Sequence, residues 1–143
     1  AAKSAGLKLP LIGGEDLFSK QFLEHGGQAV RGTLLYASFA PDRPTPLVRD
    51  FVADHVARKN TVPDRFTALA YDAFNLLTRA IASAGSLKGR AVREAMVNLK
   101  ETEGVTGASR WAPNGTPVKH PHLYRVEGHQ AGERFVLVQD AGE

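Results

Sequence analysis

The sequence predicts an α/β protein in which pieces of parallel sheet are flanked by helices and the chain closes on an antiparallel hairpin. Three observations carry this reading. Residues 7–12, 17–25 and 30–39 read in turn as strand, helix and strand, the order of a parallel βαβ unit with a right-handed crossover. Three amphipathic helices then follow with no strand between them. Two strand-like runs, residues 122–126 and 134–138, end the chain on either side of a loop with Gly128 and Gly132.

The first run, L-K-L-P-L-I, is apolar and ends in a tight turn at Gly13-Gly14. Glu15 and Asp16 precede L-F-S-K-Q-F-L-E-H, where Leu17, Phe18, Phe22 and Leu23 mark one apolar face and Gly26-Gly27 stops the helix. V-R-G-T-L-L-Y-A-S-F supplies the second strand. After a connector with Pro41 and Pro44, Thr45 caps and Pro46 opens a helix that turns Leu47, Val48, Phe51, Val52 and Val56 inward and ends near Asn60.

Residues 64–85 hold the longest helix. Asp64 is placed to accept its first free N–H groups, and Gly85 suits the left-handed residue that closes it. Between them Phe66, Leu69, Ala70, Ala73, Phe74, Leu77, Ala80, Ile81 and Ala84 recur at helical spacing, and this stripe is expected in the core. Residues 86–99 repeat the pattern with Leu87, Ala91, Val92, Ala95, Met96 and Leu99. Thr106-Gly107 and Asn114-Gly115 are turn signals around a short segment centred on Trp111. One βαβ unit and a hairpin offer too few strands for three helices to cover, so further strands are expected outside this chain.

Composition narrows the function classes. A net charge of +3, with Lys and Arg scattered among acids and no aromatic–basic interleaving, argues against a nucleic-acid partner. The absence of cysteine excludes disulfides, thiol catalysis and zinc–thiolate sites. No apolar run approaches the roughly 20 residues of a membrane helix. No secretion signal opens the chain, and A-A-K-S-A-G at its start reads like the end of a helix, the mark of a fragment or a processed form.

Ligands of open α/β sheets bind beyond the carboxyl ends of strands, next to helix starts. Gly13-Gly14-Glu15-Asp16 occupies such a place. The glycines keep side-chain bulk away from an approaching ligand, and match neither a phosphate loop nor a dinucleotide fingerprint. Two readings fit the acids: helix capping, or a carboxylate that meets a ligand ammonium, with Asp16 capping and Glu15 free as a combination of both. Phe66 fits a core aromatic or the rim of a pocket. His120 and His122 are two imidazoles without a nearby acid, short of a closed zinc site, and are expected at a solvated turn. Arg90, Arg93, Glu94 and Lys100 read as a solvated helix face. No serine sits in a G-x-S-x-G elbow, and no catalytic constellation or cofactor motif is found.

Taken in order, P-L-I-G-G-E-D, V-R-G-T-L-L-Y-A-S-F, F-T-A-L-A-Y-D-A-F-N-L-L-T-R-A-I-A-S-A-G, V-R-E-A-M and G-V-T-G-A-S-R-W-A-P-N-G resemble the C-terminal portion of type I periplasmic solute-binding proteins, the leucine/isoleucine/valine-binding class of ABC importers. The resemblance runs through nearly the whole chain, and it departs where Trp111-Ala112-Pro113 replaces the family's usual Phe-Asp pair. It implies a partial type I fold: Rossmann-like sheet pieces from two lobes that close on a small ligand. Residues 1–40 would belong to lobe 2, residues 41–117 to lobe 1, and residues 118–143 would return to lobe 2. Glu15 matches the acid that holds a ligand ammonium and Phe66 the aromatic that borders the ligand side chain, with Gly14 and Asp16 beside them. The implied protein is no enzyme and needs no cofactor. It is extracytoplasmic, binds an amino acid or small carboxylate, and delivers it to a membrane permease. The missing N-terminal half, or a second copy of the chain, would cover its apolar faces. A ligand-sensing domain of a receptor or regulator, a relative that binds aromatic acids, and a small α/β enzyme are the rival readings.

Overall fold

The computed structural model describes residues 9–99, 102–112, 114–130 and 132–139, with only the backbone of Arg110, Trp111 and Gln139. Leu7, Lys8, Lys100 and Pro113 lie outside the described residues, as does the opening A-A-K-S-A-G. The chain divides into two compact units. Of the described residues, those up to Ser38 and those from Pro121 form unit 1, and those from Phe39 to His120 form unit 2.

Unit 1 is a four-stranded mixed sheet. Strand β1 (Ile12–Gly13) pairs in parallel with β2 (Leu34–Ala37), with Ile12 opposite Leu34. Strand β6 (His122–His129) then adds antiparallel to β2, and β7 (Gly132–Gln139) antiparallel to β6, in the order β1-β2-β6-β7. A short helix α1 (Lys20–Gly26) links the parallel pair. Alternation sets the core: Leu35 and Ala37 of β2 and His122, Tyr124 and Val126 of β6 are buried, whereas Tyr36 between the first two is exposed. Phe18 stacks on Phe135 at 4.3 Å and tilts against Tyr124 at 4.7 Å.

Several expectations for this unit are corrected. Glu15 and Asp16 do not cap a helix. Glu15–Leu17 is a separate 3-10 turn without a side-chain cap, and Ser19 caps α1 by accepting the Phe22 N–H at 3.2 Å. The hydroxyl stands three residues ahead of that N–H, so the helix starts later than the apolar pattern implies. Gly14 has an extended backbone (φ −86°, ψ 176°), so its value is the missing side chain rather than a special turn conformation. His122 is fully buried at the head of β6 instead of solvated, because it falls in phase with Tyr124 and Val126.

Unit 2 contains the three helices, α2 (Pro46–Lys59), α3 (Arg65–Ala84) and α4 (Gly89–Asn98). Their ends follow from local chemistry. Thr45 Oγ1 accepts the Val48 N–H, and Asp64 Oδ1 accepts both the N–H and the hydroxyl of Thr67. Asn60 and Gly85 close α2 and α3 in the left-handed conformation, at φ 54° and 57°. Three short antiparallel strands complete the unit: β3 (Thr102–Gly104), β4 (Gly107–Trp111) and β5 (Pro117–Val118), in the order β3-β4-β5. The segment around Trp111 is thus the middle strand of a small meander. On α4, Arg90 and Glu94 pair on an exposed face at 3.1 Å.

The core of unit 2 gathers Phe39, Val48, Ala68 and Val105, with Phe51 and Val52 packed against it. This places a different face of α3 inward from the one its apolar stripe indicates. Ala68, Asp72, Leu76 and Ala80 are buried, four residues apart, whereas Phe66 and Phe74 are 64% and 65% exposed and Leu77 is 43% exposed. Ala70 and Ala73 are exposed with them, and only Ala80 of the stripe is fully buried. Unit 2 brings no element of its own over that line among the described residues. Asp72 takes its place in the buried line because its carboxylate is saturated with donors: Val105 N–H at 2.9 Å, Thr106 N–H at 2.9 Å and the Thr106 hydroxyl at 2.5 Å.

Candidate functional site

In unit 1 the parallel pair places two chain corners side by side. Strand β1 runs into Gly14 and Glu15, and β2 runs into Ser38. Because the two strands are parallel neighbours, both corners lie at carboxyl ends. The Glu15 carboxylate spans from one to the other. Its Oε1 accepts the Ser38 N–H at 2.6 Å and the Ser38 hydroxyl at 2.6 Å. Both are charge-assisted bonds at the short end of their range, and they fix the direction of a half-buried negative charge. The Ser38 hydroxyl is a donor here: it orients the carboxylate.

Gly14 lies under the ring of Tyr36. A Cβ added at Gly14 would stand 3.2 Å from the Tyr36 hydroxyl oxygen and 3.5 Å from its ring carbons, so the phenol rests on bare backbone. Tyr36 is half exposed on the outward side of β2. Asp16 follows Glu15 in the 3-10 turn and is exposed. Of the four candidate residues, Gly14, Glu15 and Asp16 thus share one corner of unit 1. Sequence reasoning missed Tyr36 and Ser38. The available signal was position: Tyr36 is next to last in β2 and Ser38 follows its end, and open α/β sheets take ligands beyond the carboxyl ends of strands.

The fourth candidate, Phe66, belongs to unit 2. It occupies the first turn of α3, whose start is fixed by the Asp64 cap. Its ring is not in the core; it is exposed and carries the Arg65 guanidinium over its face at 4.6 Å from the centroid. The Asp64 carboxyl is held below its ordinary value of 3.8 by the hydrogen bonds it accepts from Thr67, the backbone N–H first. Among the described residues, no cluster of three or more His, Asp or Glu is arranged to hold a metal ion, and no helix is long and apolar enough to cross a membrane.

A fixed carboxylate beside side-chain-free backbone and a phenol suits a small ligand that bears an ammonium and packs weakly polar groups on an aromatic.

Residues 1–133 match the family described as periplasmic binding protein. No curated protein sequence matches the chain. Among solved structures, it is similar to a protein assigned to branched-chain amino acid ABC transport in Rhodospirillum rubrum, at 29% identity and a TM-score of 0.79, over 94% of this chain and 39% of that one. An ABC transporter substrate-binding protein from Desulfitobacterium hafniense in complex with leucine matches at 26% identity and a TM-score of 0.75, over 94% of this chain and 38% of that one. A solute-binding protein of an ABC transporter from Rhodopseudomonas palustris BisB5, in complex with 3,4-dihydroxybenzoic acid, shares the fold at 20% identity and a TM-score of 0.75, over 98% of this chain and 40% of that one. The chain therefore spans about two-fifths of the length of these relatives, has a partial type I periplasmic binding protein fold, and belongs to the periplasmic binding protein family.

Proposed function

We propose that this chain forms part of both lobes of an extracytoplasmic solute-binding protein, which captures an amino-acid-like ligand and delivers it to an ABC permease. The role is binding and presentation rather than catalysis. Unit 1 belongs to one lobe and unit 2 to the other, with domain closure on the ligand as the working motion. Glu15 pairs with the ligand ammonium, Gly14 lets the ligand approach the backbone, Asp16 adds negative potential at the same corner, and Phe66 borders the ligand side chain.

The observation that carries this reading is the Glu15 carboxylate held by Ser38 across the carboxyl ends of two parallel strands. The charge is oriented in advance, so little ordering is left to be done when a cation binds. Membership in the family and the likeness to a leucine complex support the ligand class. The same carboxylate weighs against an aryl carboxylate, which would bring a like charge to Glu15.

The exposed line of Phe66, Phe74 and Leu77 on α3 supports a further partner, the remainder of a receptor as long as the relatives. Titration calorimetry on a receptor of that length tests the ligand role. Glu15→Gln is expected to weaken amino-acid binding at least ~30-fold, the lower end for truncating one partner of a buried charge pair. Unchanged amino-acid affinity, or tighter binding of benzoate than of any amino acid by the native protein, would overturn it.

A further inference from the structure

Asp72 stands midway along α3 and collects donors from two stretches remote in sequence. One is the turn after β3, where Val105 and Thr106 give their N–H groups to its two oxygens at 2.9 Å. Gly104 completes the fit, since a Cβ there would stand 2.5 Å from the carboxylate carbon. The other stretch is the residue after β5. Lys119 donates to the Thr106 hydroxyl oxygen, which itself donates to Asp72 Oδ2, and the Lys119 ammonium lies 3.8 Å from that same oxygen. The hydroxyl thus relays between ammonium and carboxylate, one lone pair and one proton used.

Lys119 holds a particular place in the chain. His120 is the last residue of the run that builds unit 2, and Pro121 begins the return to unit 1. The strand that leads there, β5, has two residues, and one of them is Pro117, which has no N–H to give to a ladder. A pairing of Arg110 with Val118 and Trp111 with Pro117 is too short to hold a departing segment by itself. The Lys119 side chain is only 23% exposed, and that burial pushes its ammonium below the usual lysine range, with the Asp72 charge opposing. The Thr106 hydroxyl and the Asp72 carboxylate meet the ammonium there.

We propose that Lys119 is a latch: through Thr106 and Asp72 it fastens the segment after β5 to α3, so that the chain remains part of unit 2 up to Lys119 and its freedom begins at His120–Pro121. The competing account makes Lys119 a counter-charge for Asp72 and nothing more. The two differ in where an effect is felt. A latch controls the segment it fastens, whereas a counter-charge controls the fold of the unit.

Nitrogen-15 relaxation on the 143-residue chain separates them. In the native chain the amides of Val118 and Lys119 are expected at order parameters of about 0.85, as in rigid backbone. Lys119→Met keeps the stem and removes the charge. It should drop positions 118 and 119 below about 0.6 and leave Val105, Thr106 and α3 unchanged. Thr106→Val breaks the relay but keeps both backbone bonds to Asp72, and should release the same two positions; Thr106→Ser should restore them. The double variant of Lys119 and Thr106 should be no looser than either single one. Unchanged order parameters at 118 and 119 in Lys119→Met would overturn the latch. So would loosening spread equally over α3 and residues 105–106, or additive effects of the two substitutions. If Lys119→Met does not fold, the Thr106 pair carries the same test.

Discussion

Asp72→Asn is the substitution whose cost the structure defines most closely. Asparagine keeps one acceptor, enough for the Val105 N–H, and puts an NH2 where Oδ2 receives the Thr106 N–H and hydroxyl. Val105 and Thr106 are 0% and 1% exposed, so water does not replace what is lost. The orphaned Thr106 N–H costs about 1–3 kcal/mol, and a hydrogen bond to a charged acceptor contributes about 1.5–3 kcal/mol. The Thr106 hydroxyl can rotate, and Lys119 loses its nearest counter-charge. The net expectation is a loss of about 3–5 kcal/mol, the usual cost of breaking a buried pair. Asp54→Asn is the control. It makes the same chemical change on α2, where Asp54 pairs with Arg58 at 2.9 Å with both side chains more than half exposed, and it should cost at most about 0.5 kcal/mol. Urea unfolding followed by far-ultraviolet circular dichroism reads the helices, of which α2, α3 and α4 belong to unit 2. A cost for Asp72→Asn below about 1 kcal/mol, or equal to that of the control, would refute the reasoning.

Asp64→Ala should destabilise by about 1 kcal/mol at neutral pH through loss of the α3 cap. The folded-state pKa of Asp64 lies below its ordinary 3.8, so its contribution is present above that value and fades as pH falls through the folded value; urea melts of the two proteins should therefore converge on acidification, and a pH-independent gap would exclude the cap. Gly104→Ala drives a methyl into the Asp72 carboxylate and should cost about 1–3 kcal/mol by the same unfolding assay, against less than about 0.5 kcal/mol expected at an open surface site. Phe74→Ser together with Leu77→Ser should leave the stability of this chain within about 1 kcal/mol, since both side chains are exposed, while light scattering shows reduced self-association; a large stability loss would mean that the α3 stripe is already covered.

Helix ends were legible because their determinants are local. Thr45 and Pro46, Asn60, Asp64 and Gly85 stand where caps and left-handed closures are required, and α2 and α3 begin and end on them. The α/β class followed from the strand–helix–strand order and the terminal hairpin. The inward face of α3 was not legible. Periodicity reports where apolar residues recur, not what lies opposite them, and a carboxylate at position 72 reads as solvent-facing until its donors are located 33 and 34 residues away. Glu15 and Asp16 resemble a helix start because acids often are one; Ser19 shows that a hydroxyl three residues before a free N–H decides the matter. Phe66 is in register with the apolar stripe, but Phe66, Phe74 and Leu77 of that stripe are exposed. Tyr36 and Ser38 carry no motif of their own, and the pairing of β1 with β2 is what sets Tyr36 over Gly14 and Ser38 against Glu15.

The claim beneath the functional reading is that one carboxylate, steadied by Ser38, answers to the positive end of the ligand. The most direct check is a calorimetric cycle on a receptor of the relatives' length, with leucine and its analogue lacking the amino group, each measured on the native protein and on Glu15→Gln. Deleting the amino group should weaken binding to the native protein by at least ~30-fold and change binding to the variant little, since a charge pair is lost only once. An equal loss in both proteins would place the ammonium elsewhere and contradict the account.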